Sequence, residues 1–350
     1  MRALVTGANG FLGRHVVGAL LARGIEIRAI VRPAAPVAAL GWPSSVEVFR
    51  ADLRSSRELQ RAFAGIDVLL HLAAATSGGE EAQFAGTVAG TERLLDAMAT
   101  SACRRLVLCS SFSVYDYSLT RSTLNEDSPL HQVPDVYARD GYTISKWWQE
   151  RVARRFAERY GWELTVLRPG FIWGRDHGYL AALGQRLGRH HLVIGPRTRI
   201  PLTHVENCAD VFALSVVDPR AQGRTLNVID GPGERIWSYL ADHMRCSGQA
   251  GLRLAVPYRL AIWLVRLAFA TVFKRATNVP GILIPAGLEA RLKPLRFDNR
   301  RLRETLSWTP PLNYKECLAR TYDAAKPPGS TTIPVEAASR HGSCGKGLTP

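Results

Sequence analysis

The eight residues "TGANGFLG", Thr6 to Gly13, constrain this chain more than any other stretch. They follow an apolar run, "RALV", and open "FLGRHVVGALLARG", whose apolar residues recur at helical spacing up to Gly24. A strand that turns on glycine straight into a helix brings unpaired N–H groups and a positive dipole end to the turn, which suits a phosphate. Gly7 permits the tight turn, Gly10 lets the backbone approach a pyrophosphate, and Gly13 lets the helix pack against the strand. A lone glycine triplet is weak evidence, but between a buried strand and a helix it specifies a dinucleotide site.

The alternation continues along the chain. "IEIRAIVR", "VEVFRADL", "IDVLLHLAA", "RRLVLCSS" and "ELTVLRPG" read as further strands, with helical segments near 57–64 and 87–100 between them. Strands separated by helices of this length need right-handed crossovers, so the fold class is α/β, a doubly wound parallel sheet covered on both faces. Past residue 170 the pattern becomes irregular and proline-rich. We expect a dinucleotide-binding domain over 1–170, with 203–230 returning to it, and a smaller C-terminal substrate-binding lobe from 171–202 and 231–325 over the carboxyl ends of the strands. Residues 326–350, rich in Pro, Gly and Ser, read as a disordered tail.

Of 39 Arg and 6 Lys, Lys146 is the sole lysine before Lys274. It stands four residues after Tyr142 in "YTISK", which continues as a helix, so the two side chains share a face. A phenol with a pKa of about 10 is a poor base; drawing it toward neutrality takes roughly 3 to 4 kcal/mol, near what one cation supplies at ~4 Å and an effective dielectric of about 20. A compact ammonium can also donate to the ribose hydroxyls of a nicotinamide cofactor, which a planar guanidinium does less well. Ser111, in "LCSSFSVYD" at a strand's carboxyl end, is placed to hydrogen-bond a substrate carbonyl and complete a Ser/Tyr/Lys set. Strand alternation puts Ser111 and Ser113 on one face and Ser110 on the other.

The second strand ends in Arg32, where an acid would otherwise hold the ribose 2′-hydroxyl, so NADP is favoured over NAD. Asp52, after the third strand, can accept from the adenine amino group or cap the next helix.

The net charge of +15 invites nucleic acid as a partner, yet no motif with interleaved aromatics accompanies it. The excess is concentrated in residues 251–325, with 13 Lys+Arg against 5 Asp+Glu, where it can meet a phosphorylated substrate or an anionic membrane. Six scattered cysteines without a CxxC pair read as reduced core residues, neither disulfide framework nor metal site, which favours the cytoplasm, as does an N-terminus that runs straight into a strand with no signal peptide. "YRLAIWLVRLAFATVF", 258–273, is interrupted by Arg259 and Arg266 and reads as an amphipathic helix instead of a membrane span. It packs on its own lobe, caps an apolar substrate or touches a membrane peripherally.

With these residues in place, the sequence resembles the extended short-chain dehydrogenase/reductase superfamily, in its NAD-dependent epimerase/dehydratase group, from Met1 to about residue 325. The resemblance is carried by "TGANGFLG", "ADL", "HLAA", "SSFSVY", "YTISK", "LRPGFIWG", "THVENCAD", "LNV" and "LSWTPPLNYKECL". It implies a Rossmann domain with Tyr142 as acid/base, Lys146 as its activator and ribose anchor, and Ser111 as carbonyl ligand. It also implies a cofactor-binding set of Gly7, Asn9, Gly10, Phe11, Leu12, Gly13, Arg32, Asp52, Leu53, Leu72, Ala73 and Ala74, with Pro169 of "LRPG" beside the nicotinamide, and a homodimer. Ser111–Phe112–Ser113 replaces the Thr-Asp-Glu of the group's dehydratases, which argues against dehydration. "TVAGT", 87–91, replaces "NVxGT" and leaves the asparagine's role unassigned. Two readings follow. Group resemblance makes a nucleotide-sugar epimerase the leading expectation, with Arg197, Arg199 and Arg296 available to a diphosphate. The apolar 258–273 segment favours net reduction or oxidation of an apolar ketone or alcohol, as in relatives resembling 3β-hydroxysteroid dehydrogenases or dihydroflavonol reductases.

Overall fold

A computed structural model describes residues 1–54, 56–132, 141–273, 279 and 281–323. Seven parallel strands form the main sheet: β1 (Arg2–Thr6), β2 (Glu26–Val31), β3 (Val46–Arg50), β4 (Val68–His71), β5 (Arg105–Cys109), β6 (Glu163–Pro169) and β7 (Thr225–Val228). Their order across the sheet is β7-β6-β5-β4-β1-β2-β3. All six strands read from the sequence are present.

The near-continuous apolar runs are explained by burial on both faces. Ala3 and Val5 of β1 enter a cluster with Val16 and Leu20 of α1 (Phe11–Leu21) and Phe212. Leu4, between them, points to the opposite cluster, with Leu59, Leu94 and Leu106. Helices α2 (Ser56–Ala62), α4 (Gly90–Ala99) and α5 (Gly141–Tyr160) cover that second face, while α6 (Val205–Val217) and α10 (Arg300–Leu306) join α1 on the first. The helix expected over 87–100 is broken: α3 (Glu80–Phe84) passes through a π-helical turn at Ala85–Ala89 before α4 begins.

Beyond the sheet, α7 (Ile236–Cys246), α8 (Tyr258–Thr271), α9 (Pro285–Leu292) and α11 (Tyr314–Tyr322) gather with several two- and three-stranded sheets around Trp173, Leu183, Tyr239 and Leu288. The tail expected over 326–350 lies outside the described residues. Cys103, Cys109, Cys208 and Cys317 are buried free thiols, but Cys246 is exposed at the end of α7, so the core reading is corrected there: its apolar neighbours in sequence face the other side of that helix.

Candidate active site

The glycine turn closes as its spacing requires. Gly7 has φ +69°, and a Cβ there would lie 2.8 Å from the Ala73 nitrogen, so the turn lies directly against the "HLAA" segment after β4. A Cβ on Gly13 would lie 2.0 Å from the Gly7 carbonyl oxygen. Gly10 caps α1 with extended backbone and no side-chain hydrogen bond to the first-turn N–H groups. This cradle, with those N–H groups uncovered by any side-chain cap, fits a dinucleotide pyrophosphate. Asn9, Phe11 and Leu12 belong to the same turn and helix start, and Leu72, Ala73 and Ala74 follow β4 beside it.

Arg32 is exposed just past β2, and its charge reaches Asp52. The Asp52 carboxylate accepts from the backbone N–H of Arg54 at 2.9 Å and from its guanidinium at 2.6 Å, closing a turn ahead of α2. Arg54's hydrogen bonds, then its charge and that of Arg32, outweigh burial and hold Asp52 at about 2.

At the other end, Tyr142 is half-buried in the first turn of α5, and Lys146 stands one turn further on. Lys146 is 2% exposed. Its ammonium donates to the Cys109 carbonyl at the end of β5, at 2.7 Å, and to Gln149 Oε1 at 2.9 Å. That leaves its third N–H without a partner among the described residues. Burial lowers the Lys146 pKa, with the neighbouring Cys109 and Glu150 opposing the shift.

Sequence reasoning missed the group beneath this lysine. Because Gln149 Oε1 faces the ammonium, its amide N–H groups face Thr91 Oγ1 at 3.0 Å, Ala73 O at 3.1 Å and His71 Nε2 at 3.1 Å. His71 Nδ1 meets Thr6 Oγ1 at 2.7 Å. Burial, aided by the Lys146 charge, lowers His71 to about 3, so the ring is neutral. Gln149 follows Lys146 at i+3, a spacing that could have drawn notice. In "TVAGT", Thr87 Oγ1 accepts from Ala75 N at 2.9 Å, so threonine ties α4's approach to the segment after β4.

Glu150, at i+4 from Lys146, anchors a second buried group. It accepts from Arg168, Arg154 and Ser110, and Arg168 also donates to the Tyr115 hydroxyl, which donates to Asn227 Oδ1. Ser110 is thereby turned into the core. β5 ends at Cys109, so strand alternation does not continue to Ser113: Ser111 instead caps a 3₁₀ turn, Phe112–Val114, accepting from Ser113 N at 3.1 Å. The Ser113 hydroxyl is buried without a partner among the described residues. Pro169 ends β6, paired with Val228. Arg197, Arg199 and Arg296 are each exposed, and the Arg199 guanidinium donates to the Gly233 carbonyl.

A doubly wound sheet with a phosphate cradle at one strand end and a buried lysine beside the next strands defines an extended short-chain dehydrogenase/reductase. Residues 3–228 match the NAD dependent epimerase/dehydratase family, and the chain belongs to it. It is 32% identical over 269 residues to the 4-hydroxy-2-methyl-3-oxo-4-farnesyl-3,4-dihydroquinoline-1-oxide ketoreductase of Stigmatella aurantiaca, covering 75% of this chain and 78% of that protein. It is 25% identical to 3beta-hydroxysteroid-dehydrogenase/decarboxylase isoform 1 of Arabidopsis thaliana, covering 92% and 79%. Among solved structures, the UDP-glucose 4-epimerase of Thermus thermophilus in complex with NAD shares the fold at TM-score 0.66 and 22% identity, covering 92% of this chain and 98% of that one.

Proposed function

We propose that this protein is an NAD(P)-dependent oxidoreductase that transfers hydride at a ketone or secondary alcohol of an apolar molecule. The observation that carries the redox chemistry is the buried Lys146 ammonium, one helical turn from Tyr142 and with one N–H unpaired among the described residues. A nicotinamide cofactor bound at the glycine turn would supply or accept the hydride. Tyr142 hands a proton to the substrate oxygen or takes it back, Lys146 favours the phenolate and donates its remaining N–H to a ribose hydroxyl, and Ser111 holds the substrate carbonyl. Gln149 is a positioning residue, fixing the ammonium against β5. Arg32 and Arg54, both exposed beside Asp52, favour the extra phosphate of NADP.

The apolar substrate class is supported by the ketoreductase and hydroxysteroid dehydrogenase names of the two relatives. The second reading, a nucleotide-sugar epimerase, draws on the exposed Arg197 and Arg199; the likeness to UDP-glucose 4-epimerase, at 22% identity, is one of fold.

The test is NADPH and NADH oxidation by the purified protein with a steroid ketone and a prenylated quinolone ketone, beside UDP-glucose interconversion. Net oxidation with the apolar ketones is expected, falling at least about a hundredfold in Tyr142→Phe. Sugar interconversion without net oxidation would give the second reading. Undiminished turnover in Tyr142→Phe would end the catalytic assignment.

A further inference from the structure

We propose that the outer face of α8 docks on an anionic membrane surface, with Trp263 and three leucines set into the headgroup–acyl boundary. The helix is apolar on two sides. Ala261 and Val265, 5% and 8% exposed, pack inward with Ile262 and Tyr258 against the lobe. Leu260, Trp263, Leu264 and Leu267 point outward at 48%, 58%, 47% and 49% exposure. Their spacing of i, i+3, i+4 and i+7 makes one continuous stripe. The strand Arg253–Val256, which leads into the helix, adds Leu254 at 49% exposure, with Leu252 just before it at 65%. Single exposed leucines are ordinary, whereas a contiguous stripe with tryptophan in it marks an interaction surface.

Charge selects the occupant. No acidic residue lies in α8, while Arg259 and Arg266 flank the stripe on one side. Arg266 is paired with Glu289 at 2.7 Å; Arg259 has no carboxylate partner among the described residues. Residues 251–325 as a whole carry a net +8. A second copy of the chain would set this basic lobe against itself. The chain's own residues 326–350 offer Ile333, Val335 and Leu348 as their only large apolar side chains and add further positive charge. An anionic bilayer meets both demands, accepting the apolar stripe and giving Arg259 and the lobe's excess positive charge a counter-charge. At 14 residues the helix is too short to span, and among the described residues no helix is long and apolar enough to cross a membrane, so α8 lies in the plane of the surface. The inference does not depend on the substrate class.

The experiment is flotation of the full chain with vesicles of phosphatidylcholine alone and of phosphatidylcholine mixed with phosphatidylserine. Binding to the mixed vesicles is expected, weaker by at least about tenfold on phosphatidylcholine alone or in high salt. Leu264→Glu/Leu267→Glu should abolish it while leaving the circular dichroism spectrum and NADPH binding intact, since both side chains are exposed. Absence of flotation, or equal flotation by the double variant, would overturn the proposal. A dimer that the double variant dissociates would overturn it too, in favour of a second copy on this face.

Discussion

Glu150→Gln withdraws one negative charge from a place where nothing can replace it. Glu150 Oε1 accepts from Arg168 at 2.6 Å and Arg154 at 2.8 Å, and its Oε2 from Ser110 at 2.6 Å and Arg168 at 3.1 Å. Arg168 is 2% exposed. Glutamine keeps the volume but turns an N–H₂ toward groups that are themselves donors, and strands the guanidinium. Removing one partner of a buried pair costs about 3–5 kcal/mol. The titration of the carboxyl gives a second route to the figure. Burial alone would raise its pKa, but the hydrogen bonds and charge of Arg168, with Arg154 and Ser110, hold it at about 2 instead of 4.5. That difference corresponds to roughly 3 kcal/mol. Because the folded pKa lies below the unfolded one, this stabilisation is complete above pH 4.5 and is lost as pH falls toward 2. Urea unfolding at neutral pH should show a loss of about 3–5 kcal/mol in the variant, and a flatter acid limb. Arg168→Met should cost a similar amount, and Arg168→Met/Glu150→Leu should recover much of it, since two apolar side chains leave no orphaned charge. A loss below about 1 kcal/mol in Glu150→Gln would mean that water reaches the pair and that the reasoning fails.

Three further outcomes are expected. Gly13→Ala forces a Cβ onto the Gly7 carbonyl, so it should lose about 2–3 kcal/mol in urea unfolding and most NADPH binding by fluorescence titration; wild-type values in both would show that the turn can yield. Arg32→Ser should weaken NADPH binding at least about tenfold while leaving NADH within about twofold, and equal weakening of the two would contradict the 2′-phosphate role. His71, neutral in the fold with a pKa of about 3 against 6.5 unfolded, contributes stability that is complete above pH 6.5 and declines below it. The decline by pH 4.5 amounts to about 3 kcal/mol, so urea midpoints of His71→Asn should fall less steeply across that window, and an unchanged slope would refute the buried neutral ring.

The sheet and the glycine turn were readable because they depend on short-range pattern: runs such as "ALV" (3–5) or "VLL" (68–70) are apolar at every position because each strand is covered on both faces. Tyr142, Lys146 and Ser111 were proposed from spacing and strand ends. The site's supporting groups were not. Thr6 and His71 are 65 residues apart, and Gln149 and His71 are 78 apart, so no local pattern announces those pairs. The π-helical turn before α4 escaped notice because a tertiary bond, Thr87 to Ala75, accompanies it where side-chain periodicity says only helix. At Ser111 the alternation rule was carried two residues beyond the point where β5 stops.

Five elements of the chain meet beneath Lys146: Cys109 of β5 and Gln149 of α5 bond its ammonium, Gln149 in turn reaches Thr91 of α4 and His71 of β4, and His71 reaches Thr6 of β1. None of these neighbours meets the others until the central strands have docked side by side, the slow, long-range part of folding. Catalytic competence should therefore switch on abruptly during refolding, trailing the return of helical signal, and a fragment ending before α5 has no means of building it. The same convergence makes turnover a reporter of whether the middle of the molecule has closed.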